Sequence, residues 1–269
     1  MGRFVLNEPA AVGAGNPAGE LGETLQRRLL GLLAAFSAAD GRVDYARLRG
    51  SEDWAAAVRC ARRLEGVDLG ALTEHRQRLA FWINVYNALV LHGVIALGVR
   101  RSVREVRNFF GRVSYRIGGY CFSADEIEHG ILRGNRRRLF LPLRCFSRRD
   151  PRRAFAVEPM DPRIHFALTC AARSCPPAGV YRAATVDEQL DLAARGFLNE
   201  EVALDGRGCV CCSRLLKWYR GDFEAAGGLQ AFLLRYLDDG AVREAVAHRS
   251  EPCQVYRPYH WTLQHEPIE

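Results

Sequence analysis

Apolar residues recur every three or four positions along several segments, which is the spacing of one face of an α-helix. The longest of these segments, residues 72–98, is apolar over a wide arc and ends at a glycine. It therefore predicts a buried central helix. Segments with the same period predict further helices at residues 21–36, 54–64 and 185–198.

Two other segments carry β-hairpin patterns. In residues 112–122, apolar and polar positions alternate on both sides of Gly118 and Gly119, a pair that tolerates the positive φ angles of a tight turn. Residues 202–212 repeat this pattern around the turn-forming residues 205–208. The sequence therefore predicts two antiparallel hairpins.

A further strand is predicted at residues 164–168, an apolar run that contains a histidine. Because alternate side chains of a strand share a face, Ile164, Phe166 and Leu168 would fill the core and His165 would face a cleft. Helices and hairpins are mixed in the chain rather than alternating regularly. We therefore expect an α+β fold: a mostly helical single domain with a small, largely antiparallel sheet, made of two hairpins and the strand that carries His165.

The same patterns divide the chain into three parts. Residues 1–18 show no periodicity and are predicted to be a disordered leader. Residues 19–69 are predicted to form a helical segment that packs on the main domain, and residues 70–265 are predicted to form that main α+β domain. Within it, residues 134–162 are rich in Arg and Pro and predict a long loop.

Composition supports a globular protein, with 48% hydrophobic and 26% charged residues among 269. No apolar run reaches the roughly 18 uncharged residues of a membrane span, and the longest helix is interrupted by Asn84, Asn87 and His92. The N-terminus lacks the pattern of a signal peptide. Nine cysteines in that context predict reduced thiols in a cytoplasmic protein, and their odd number argues against a fully paired disulfide framework.

The net charge of +7 comes almost wholly from arginine, because Lys217 is the only lysine. Arginines cluster at residues 136–138 and 148–153. The excess of arginine can reflect a bias in amino-acid usage. Alternatively, the clustered arginines attract an acidic partner. Since the sequence contains neither interleaved aromatic residues nor a known nucleic-acid module, the expected partner is a protein or peptide rather than nucleic acid.

Candidate chemistry concentrates in residues 164–177, where His165 precedes Cys170 and Cys175 and a double proline closes the segment. A thiol becomes a nucleophile when a nearby imidazole or helix N-terminus lowers its pKa. The alternative is that Cys170 fills space as a small hydrophobe and His165 bonds to backbone. A Cys170–Cys175 disulfide acting as a redox switch also remains open.

Two polar residues elsewhere are candidates for orienting the histidine. Asn84 lies on the most apolar helix, where a buried amide must be hydrogen-bonded, and Glu128 lies on a predicted helix that Ser123 and Glu126 would cap. The alternatives are that Asn84 ties its helix to a neighbouring loop and that Glu128 belongs to a solvated charged surface.

A zinc site is a further alternative, in which His165, Cys170 and Cys175 would converge on the cysteines of the second hairpin; the four residues between Cys170 and Cys175 fit such a site. Cys209, Cys211 and Cys212 cluster on the second hairpin, but their spacing fits a structural zinc site poorly. Cysteines that pack within a sheet explain this cluster more simply. No metal and no cofactor is therefore predicted.

Five blocks of sequence occur in an order that resembles the family called domain of unknown function 547. The blocks, which span roughly residues 70–265, are AFWINVYNAL at 80–89, IEHGILR at 127–133, DPRIHFAL at 161–168 with Cys170 and Cys175, LKWY at 216–219 with Asp222, and the residues 256–261. The resemblance attaches no reaction to them. One departure is His260, at a position where members of that family usually carry Asp. If that Asp assists catalysis in the family, this chain is altered there.

Two functions remain open from the sequence, which does not decide whether the chain is an enzyme. The first is a thiol-dependent hydrolase or acyltransferase, with Cys170 or Cys175 as nucleophile, His165 as base and Asn84 or Glu128 as orienting group. The second is a non-catalytic interaction or regulatory module that binds a partner through the basic loop at residues 134–153.

Overall fold

The computed structural model of the chain describes residues 2–8, 17–137 and 143–267. The α-helices within these residues are α1 (Ala18–Ala35), α2 (Tyr45–Arg49), α3 (Glu52–Arg62), α4 (His75–Ala96), α5 (Phe109–Arg112), α6 (Val186–Glu201), α7 (Arg214–Trp218), α8 (Arg220–Ala225), α9 (Leu229–Tyr236) and α10 (Ala241–Ala247). The strands are β1 (Phe4–Val5), β2 (Val113–Ile117), β3 (Tyr120–Ser123), β4 (Ala203–Leu204), β5 (Val210–Cys212) and β6 (Val255–Tyr256). The predicted α+β fold is confirmed.

Helix α4 is the centre of the molecule, as its apolar arc predicts. Its first turn is closed by a capping box between Glu74 and Gln77, and Gly98 follows its last turn with a φ of +62°. Helix α1 packs along it. Within the described part of the chain, α4 alone is long and apolar enough to cross a membrane, but 94% of the relevant window is buried inside the protein. Its apolar surface is thus covered by the protein's own core.

Both predicted hairpins are present, but the strands form two small mixed sheets rather than one largely antiparallel sheet. In the first, β2 pairs antiparallel with β3 and parallel with β1. In the second, β5 pairs antiparallel with β4 and parallel with β6. The parallel pairs arise because segments close to the two chain ends, β1 and β6, add to the edges of the hairpins.

Residues 2–8, part of the leader predicted at residues 1–18, contain strand β1, while residues 1 and 9–16 lie outside the described part. Strand β1 holds this segment against β2, with Phe4 opposite Val113. The buried side chain of Asn7 also donates to the carbonyl oxygens of Ala61 and Arg116. The order comes from edge pairing and one buried amide, and neither leaves a periodic pattern in the sequence.

The strand predicted at residues 164–168 is also wrong, because residues Pro162–Phe166 form a 3₁₀ turn. The Asp161 carboxylate caps this turn by accepting from the N–H of Arg163 at 2.9 Å, and Pro162 occupies its first position. Asp followed by Pro is a helix-start signal, and a short apolar run alone does not distinguish a strand from a helical turn. His165 is therefore buried together with its two neighbours rather than on the opposite face of a strand.

Two apolar clusters meet at this turn. Ile164 belongs to the cluster around α4, which also contains residues of α1, α3 and the first sheet. Phe166 belongs to the second cluster, built on α6, α8 and α9. His165 thus lies at the junction of the two clusters, while the boundary predicted near residue 69 stays a prediction.

One disulfide bond departs from the expectation of wholly reduced thiols. Cys212 in β5 is bonded to Cys253, which lies just before β6. The bond therefore fastens the segment that leads into β6 to the central strand of the second sheet. Cys170 and Cys175 are both free thiols, so the structure does not contain the disulfide that their spacing allows.

Some arginines of the predicted basic loop form ion pairs within the protein instead of being free to bind a partner. Arg152 pairs with Glu126 at 3.1 Å and Asp150 at 2.8 Å. Arg136 pairs with Asp222 at 3.0 Å. Residues 138–142, which include the last arginine of the triple run, lie outside the described part. At least two members of the predicted basic surface are therefore committed to internal ion pairs.

Candidate functional site

A cavity of about 290 Å³ brings together four of the five residues predicted to form the site. His165, Cys170, Cys175 and Glu128 line it, but Asn84 does not. Its helical walls come from α4, the start of α5, the π-helical segment Glu126–Leu132 and the α7–α8 region. The 3₁₀ turn, the loop after that turn and the residues after β6 complete it.

His165 is held by a carboxylate and by an aromatic ring. Its Nε2 lies 2.9 Å from Oδ2 of Asp222, and its ring stacks on Tyr219 with centroids 3.7 Å apart. Burial lowers the pKa of His165, and the opposing effect of Asp222 does not restore it. The neutral imidazole therefore donates from Nε2 to Asp222, which leaves Nδ1 with the lone pair that can accept a proton.

Asp222 is fixed as an anion by two arginines. Arg133 donates to both carboxylate oxygens, at 2.6 and 3.0 Å, and Arg136 donates to Oδ1 at 3.0 Å. Burial raises the pKa of Asp222, but hydrogen bonds from His165 and Arg133 outweigh burial and hold it well below its usual range. The carboxylate is thus negatively charged beside the imidazole at neutral pH.

Glu128 occupies a different part of the cavity and does not hydrogen-bond to His165. It accepts from the phenol of Tyr86 at 3.0 Å and from that of Tyr219 at 2.5 Å. Burial raises the pKa of Glu128, yet the neighbouring His129 and the Tyr219 hydrogen bond bring it below the ordinary value. The alternative of a solvated surface carboxylate is wrong, because only 8% of Glu128 is exposed.

His129 faces the same cavity and is oriented by Arg133, which lies one turn further along the chain. The Arg133 guanidinium is 3.0 Å from Nδ1 of His129. The same ring nitrogen lies 3.4 Å from Oε1 of Glu128, so His129 connects the Arg133 guanidinium to that carboxylate.

Cys170 lies on a strained loop at the cavity wall. The next residue, Ala171, has a φ of +61°, and its N–H is held by Oγ1 of Thr169 at 3.1 Å. An alanine in this left-handed region costs energy, and such residues concentrate at functional sites. The hydroxyl of Tyr259 lies 3.1 Å from the Cys170 sulfur.

The two thiols of this loop differ in acidity. Burial raises the pKa of Cys170, but its interactions with Cys175 and Tyr259 and a bond from the N–H of Ala172 bring it below the usual thiol value. Burial and the neighbouring Cys170 raise the pKa of Cys175 well above that value. Cys175 also accepts from the N–H of Cys170 at 2.8 Å, so its sulfur supports the loop. The structure thus distinguishes Cys170 as the better candidate nucleophile.

Asn84 ties its helix to a neighbouring loop, which was the alternative to an orienting role. Its amide donates to the Tyr181 carbonyl at 2.7 Å and accepts from the Tyr181 N–H at 2.9 Å. Asn87, one turn later, makes the same pair of bonds to the carbonyl of Ala167 and the N–H of Thr169. Asn87 therefore positions the backbone that leads into Cys170.

The sequence predicts no catalytic role for Asp222, Tyr219, Tyr259 or Arg133, and it favours a place in the core for the two tyrosines. All four belong to the blocks that carry the family resemblance, which is the signal in the sequence that points to them. Strand alternation and local spacing cannot place a residue from α8 beside one from a turn near position 165.

The zinc hypothesis finds no support in the described ranges. Across these ranges, no group of three or more His, Cys, Asp or Glu side chains is arranged to hold a metal ion. Cys212 is bonded to Cys253 and is not available as a thiolate ligand.

A comparison with known protein families matches residues 70–198 to the family described as a protein of unknown function, DUF547. The match confirms the resemblance, so residues 70–198 form a domain of this family. It ends before Trp218, Asp222 and Tyr259, so part of the cavity is built by the chain beyond the matched region. No curated protein and no solved structure matches the chain.

His260, the residue that departs from the usual Asp of the family, lies outside the cavity. The His260 side chain is exposed, and its backbone N–H donates to Oγ of Ser174 at 2.9 Å. Its two neighbours, Tyr259 and Trp261, do line the cavity.

Proposed function

We propose that this protein catalyses thiol-dependent acyl transfer or hydrolysis at the cavity that contains Cys170. The observation that carries the proposal is the shared cavity. It places a thiol of lowered pKa together with an imidazole whose other nitrogen is fixed by a carboxylate. A nucleophile, a base and a group that orients the base form the arrangement that activates Ser and Cys enzymes on unrelated folds. Asp222 takes the orienting role that the sequence assigned to Asn84 or Glu128.

The first step is attack of the Cys170 sulfur on a carbonyl carbon. The thiol proton passes to Nδ1 of His165, a carbon–sulfur bond forms, and the bond to the leaving group breaks. His165 returns the proton to the leaving group. Water or another acceptor then attacks the thioester, gives its proton to His165 and releases Cys170. Asp222 stabilises the imidazolium each time it forms.

Tyr259 is the proposed hydrogen-bond donor to the reacting atoms. Burial and the two nearby thiols raise its pKa, so its phenol keeps its proton at neutral pH. At 3.1 Å from the Cys170 sulfur, it donates to the thiolate before attack and lies beside the carbonyl oxygen that becomes negative. Within the described residues this phenol and the N–H of Ala172 bond to the sulfur, and His165 does not. We therefore expect substrate to complete the contact between Cys170 and His165.

An activated ester tests the proposal without knowledge of the natural substrate. Mixing the protein with p-nitrophenyl acetate should release a burst of p-nitrophenolate equal to the protein concentration and leave an acetyl group on Cys170. Cys170→Ser should remove the burst. Cys209→Ser, which changes a free cysteine outside the cavity, should not. A burst that survives Cys170→Ser, or acetyl groups spread over several cysteines, contradicts the proposal.

The competing hypothesis is a non-catalytic interaction module. Its basic loop retains exposed arginines such as Arg148 and Arg149, but Arg136 and Arg152 already have internal partners. A folded protein that shows no acetyl transfer and no preferential Cys170 alkylation would favour this hypothesis.

A further inference from the structure

One wall of the cavity is a continuous aromatic surface. The rings of Trp218, Tyr259 and Trp261 all line it, with centroids 4.8 to 6.0 Å apart, and we call these three residues the aromatic patch. Tyr86, Phe110 and Tyr219 also line the cavity. Tyr219 is engaged elsewhere, since His165 stacks on it and the Arg133 guanidinium lies 5.2 Å from its centroid. The aromatic patch thus brings three rings of the cavity wall into mutual contact.

The charged groups of the lining are acidic. Glu128 and Asp125 line the cavity, whereas no Arg or Lys side chain of the described residues does so. This is unexpected in a chain that has 38 basic residues and a net charge of +7. Glu128 accepts from the neutral phenols of Tyr86 and Tyr219, and Nδ1 of His129 lies 3.4 Å from its Oε1.

Two arginines near the cavity contact other residues of the protein. Arg133 does not line the cavity, and both oxygens of Asp222 bind it, although its charge still lowers the pKa of Glu128. Arg104 does not line the cavity, and its guanidinium lies 5.5 Å from the ring centroid of Trp261. That contact is an internal example of an aromatic-patch ring attracting a cation.

From this wall chemistry we propose that the cavity binds an alkylammonium group between the aromatic patch and the Glu128 carboxylate. Ring faces attract cations, and a buried carboxylate strengthens that attraction while it excludes anions. The ligand class is a primary amine on an alkyl chain, supplied either by a lysine side chain or by a small free amine. This inference rests on the proposed acyl transfer, in which the amine is the acyl acceptor.

The bound amine would accept the acyl group from the Cys170 thioester. The bound ammonium loses one proton to solvent, and its nitrogen attacks the carbonyl carbon of the Cys170 thioester. A second proton passes from nitrogen through His165 to the departing sulfur. The carbon–sulfur bond breaks, an amide bond forms and the thiol is restored.

Calorimetric titration of the Cys170→Ser protein tests binding separately from thiol chemistry. The probes are butylammonium, neutral 1-butanol and anionic butyrate, which share an alkyl chain. Butylammonium should bind about tenfold more tightly than 1-butanol, and butyrate should not bind. Equal binding of butylammonium and 1-butanol, or tighter binding of butyrate, overturns the inference.

Substitutions of Glu128 and Trp261 test whether these two side chains bind butylammonium. Glu128→Gln and Trp261→Leu should each weaken butylammonium binding about tenfold without changing that of 1-butanol as strongly. Trp54→Phe alters a tryptophan that packs on His92 away from the cavity and should leave binding unchanged. Urea unfolding of each variant verifies that it is folded. If folded Glu128→Gln and Trp261→Leu both bind butylammonium as the parent does, the inference is wrong.

The two sources of the amine are separated by one further probe. Tighter binding of Nα-acetyl-lysine amide than of butylammonium assigns the site to a peptide lysine, and weaker binding assigns it to a small amine. If butylammonium does not bind but the p-nitrophenyl acetate burst occurs, the amine inference is wrong and the acyl-transfer proposal stands. Conversely, if butylammonium binds but no burst occurs, the catalytic proposal is wrong and the cavity is an amine-binding site only.

Discussion

His165 and Asp222 are joined by a hydrogen bond of 2.9 Å between Nε2 and Oδ2, although they are 57 positions apart in the sequence. The bond connects the 3₁₀ turn to α8 across the junction of the two apolar clusters. Both side chains are almost completely buried, with 1% and 2% exposed. A buried imidazole–carboxylate pair of this kind fixes which ring nitrogen carries the proton, and this determines what the ring can do in the cavity.

We expect Asp222→Asn to destabilise the protein by about 3–5 kcal/mol, because it leaves the buried guanidinium of Arg133 without its counter-charge. The measurement is the free energy of unfolding in urea. Asp238→Asn is the matched control, since Asp238 pairs with Arg195 at 2.7 Å on an exposed surface. Loss of that exposed pair should cost only about 0–1 kcal/mol. Equal losses in the two variants would contradict the role given to the buried pair.

The stability contributed by Asp222 should depend on pH in a defined direction. Its pKa is lower in the folded protein than in the unfolded chain, where it is about 3.9. A lowered carboxyl pKa stabilises the fold fully above the unfolded value, and that contribution is lost as pH falls through the folded pKa. The difference in unfolding free energy between the wild-type protein and Asp222→Asn should therefore be constant above about pH 5 and decrease below about pH 4. A difference that grows with acidity would refute this assignment.

Asn84 and Asn87 provide a matched pair of buried amides with different targets. Replacing either by alanine removes two hydrogen bonds to backbone and should cost about 2–3 kcal/mol in unfolding free energy. Only Asn87→Ala should also slow the alkylation of Cys170, because Asn87 holds the backbone of Ala167 and Thr169. Asn84 holds Tyr181 instead. An equal effect of both variants on Cys170 would show that loss of stability, rather than loop position, controls its reactivity.

The elements that the sequence predicted correctly are those whose signals are local. Helix α4 follows from a continuous apolar arc, and the hairpin at Gly118 and Gly119 follows from the turn itself, where both glycines have positive φ. The capping box of Ser123 and Glu126 also forms, with the Ser123 N–H donating to the Glu126 carboxylate at 2.9 Å.

The elements that the sequence did not predict depend on contacts between distant segments. Strand β1 exists because β2 offers it an edge, and the turn at His165 depends on an Asp-Pro cap that the apolar run obscured. Cys170 and His165 could be proposed from their composition and closeness in sequence. Asp222 and Tyr259 could not, because nothing in their local sequence indicates which histidine or cysteine they reach.

The most direct test of the central claim is the pH profile of iodoacetamide alkylation, measured for each free cysteine by peptide mass spectrometry. Cys170 should react first, with a midpoint below the roughly 8.5 of an ordinary thiol. Tyr259→Phe should raise this midpoint and slow the reaction near neutral pH about tenfold, since a hydrogen bond to a charged group is worth about 1.5–3 kcal/mol. If Cys170 instead reacts no faster than Cys209 and its midpoint does not move in Tyr259→Phe, Cys170 is not an activated nucleophile.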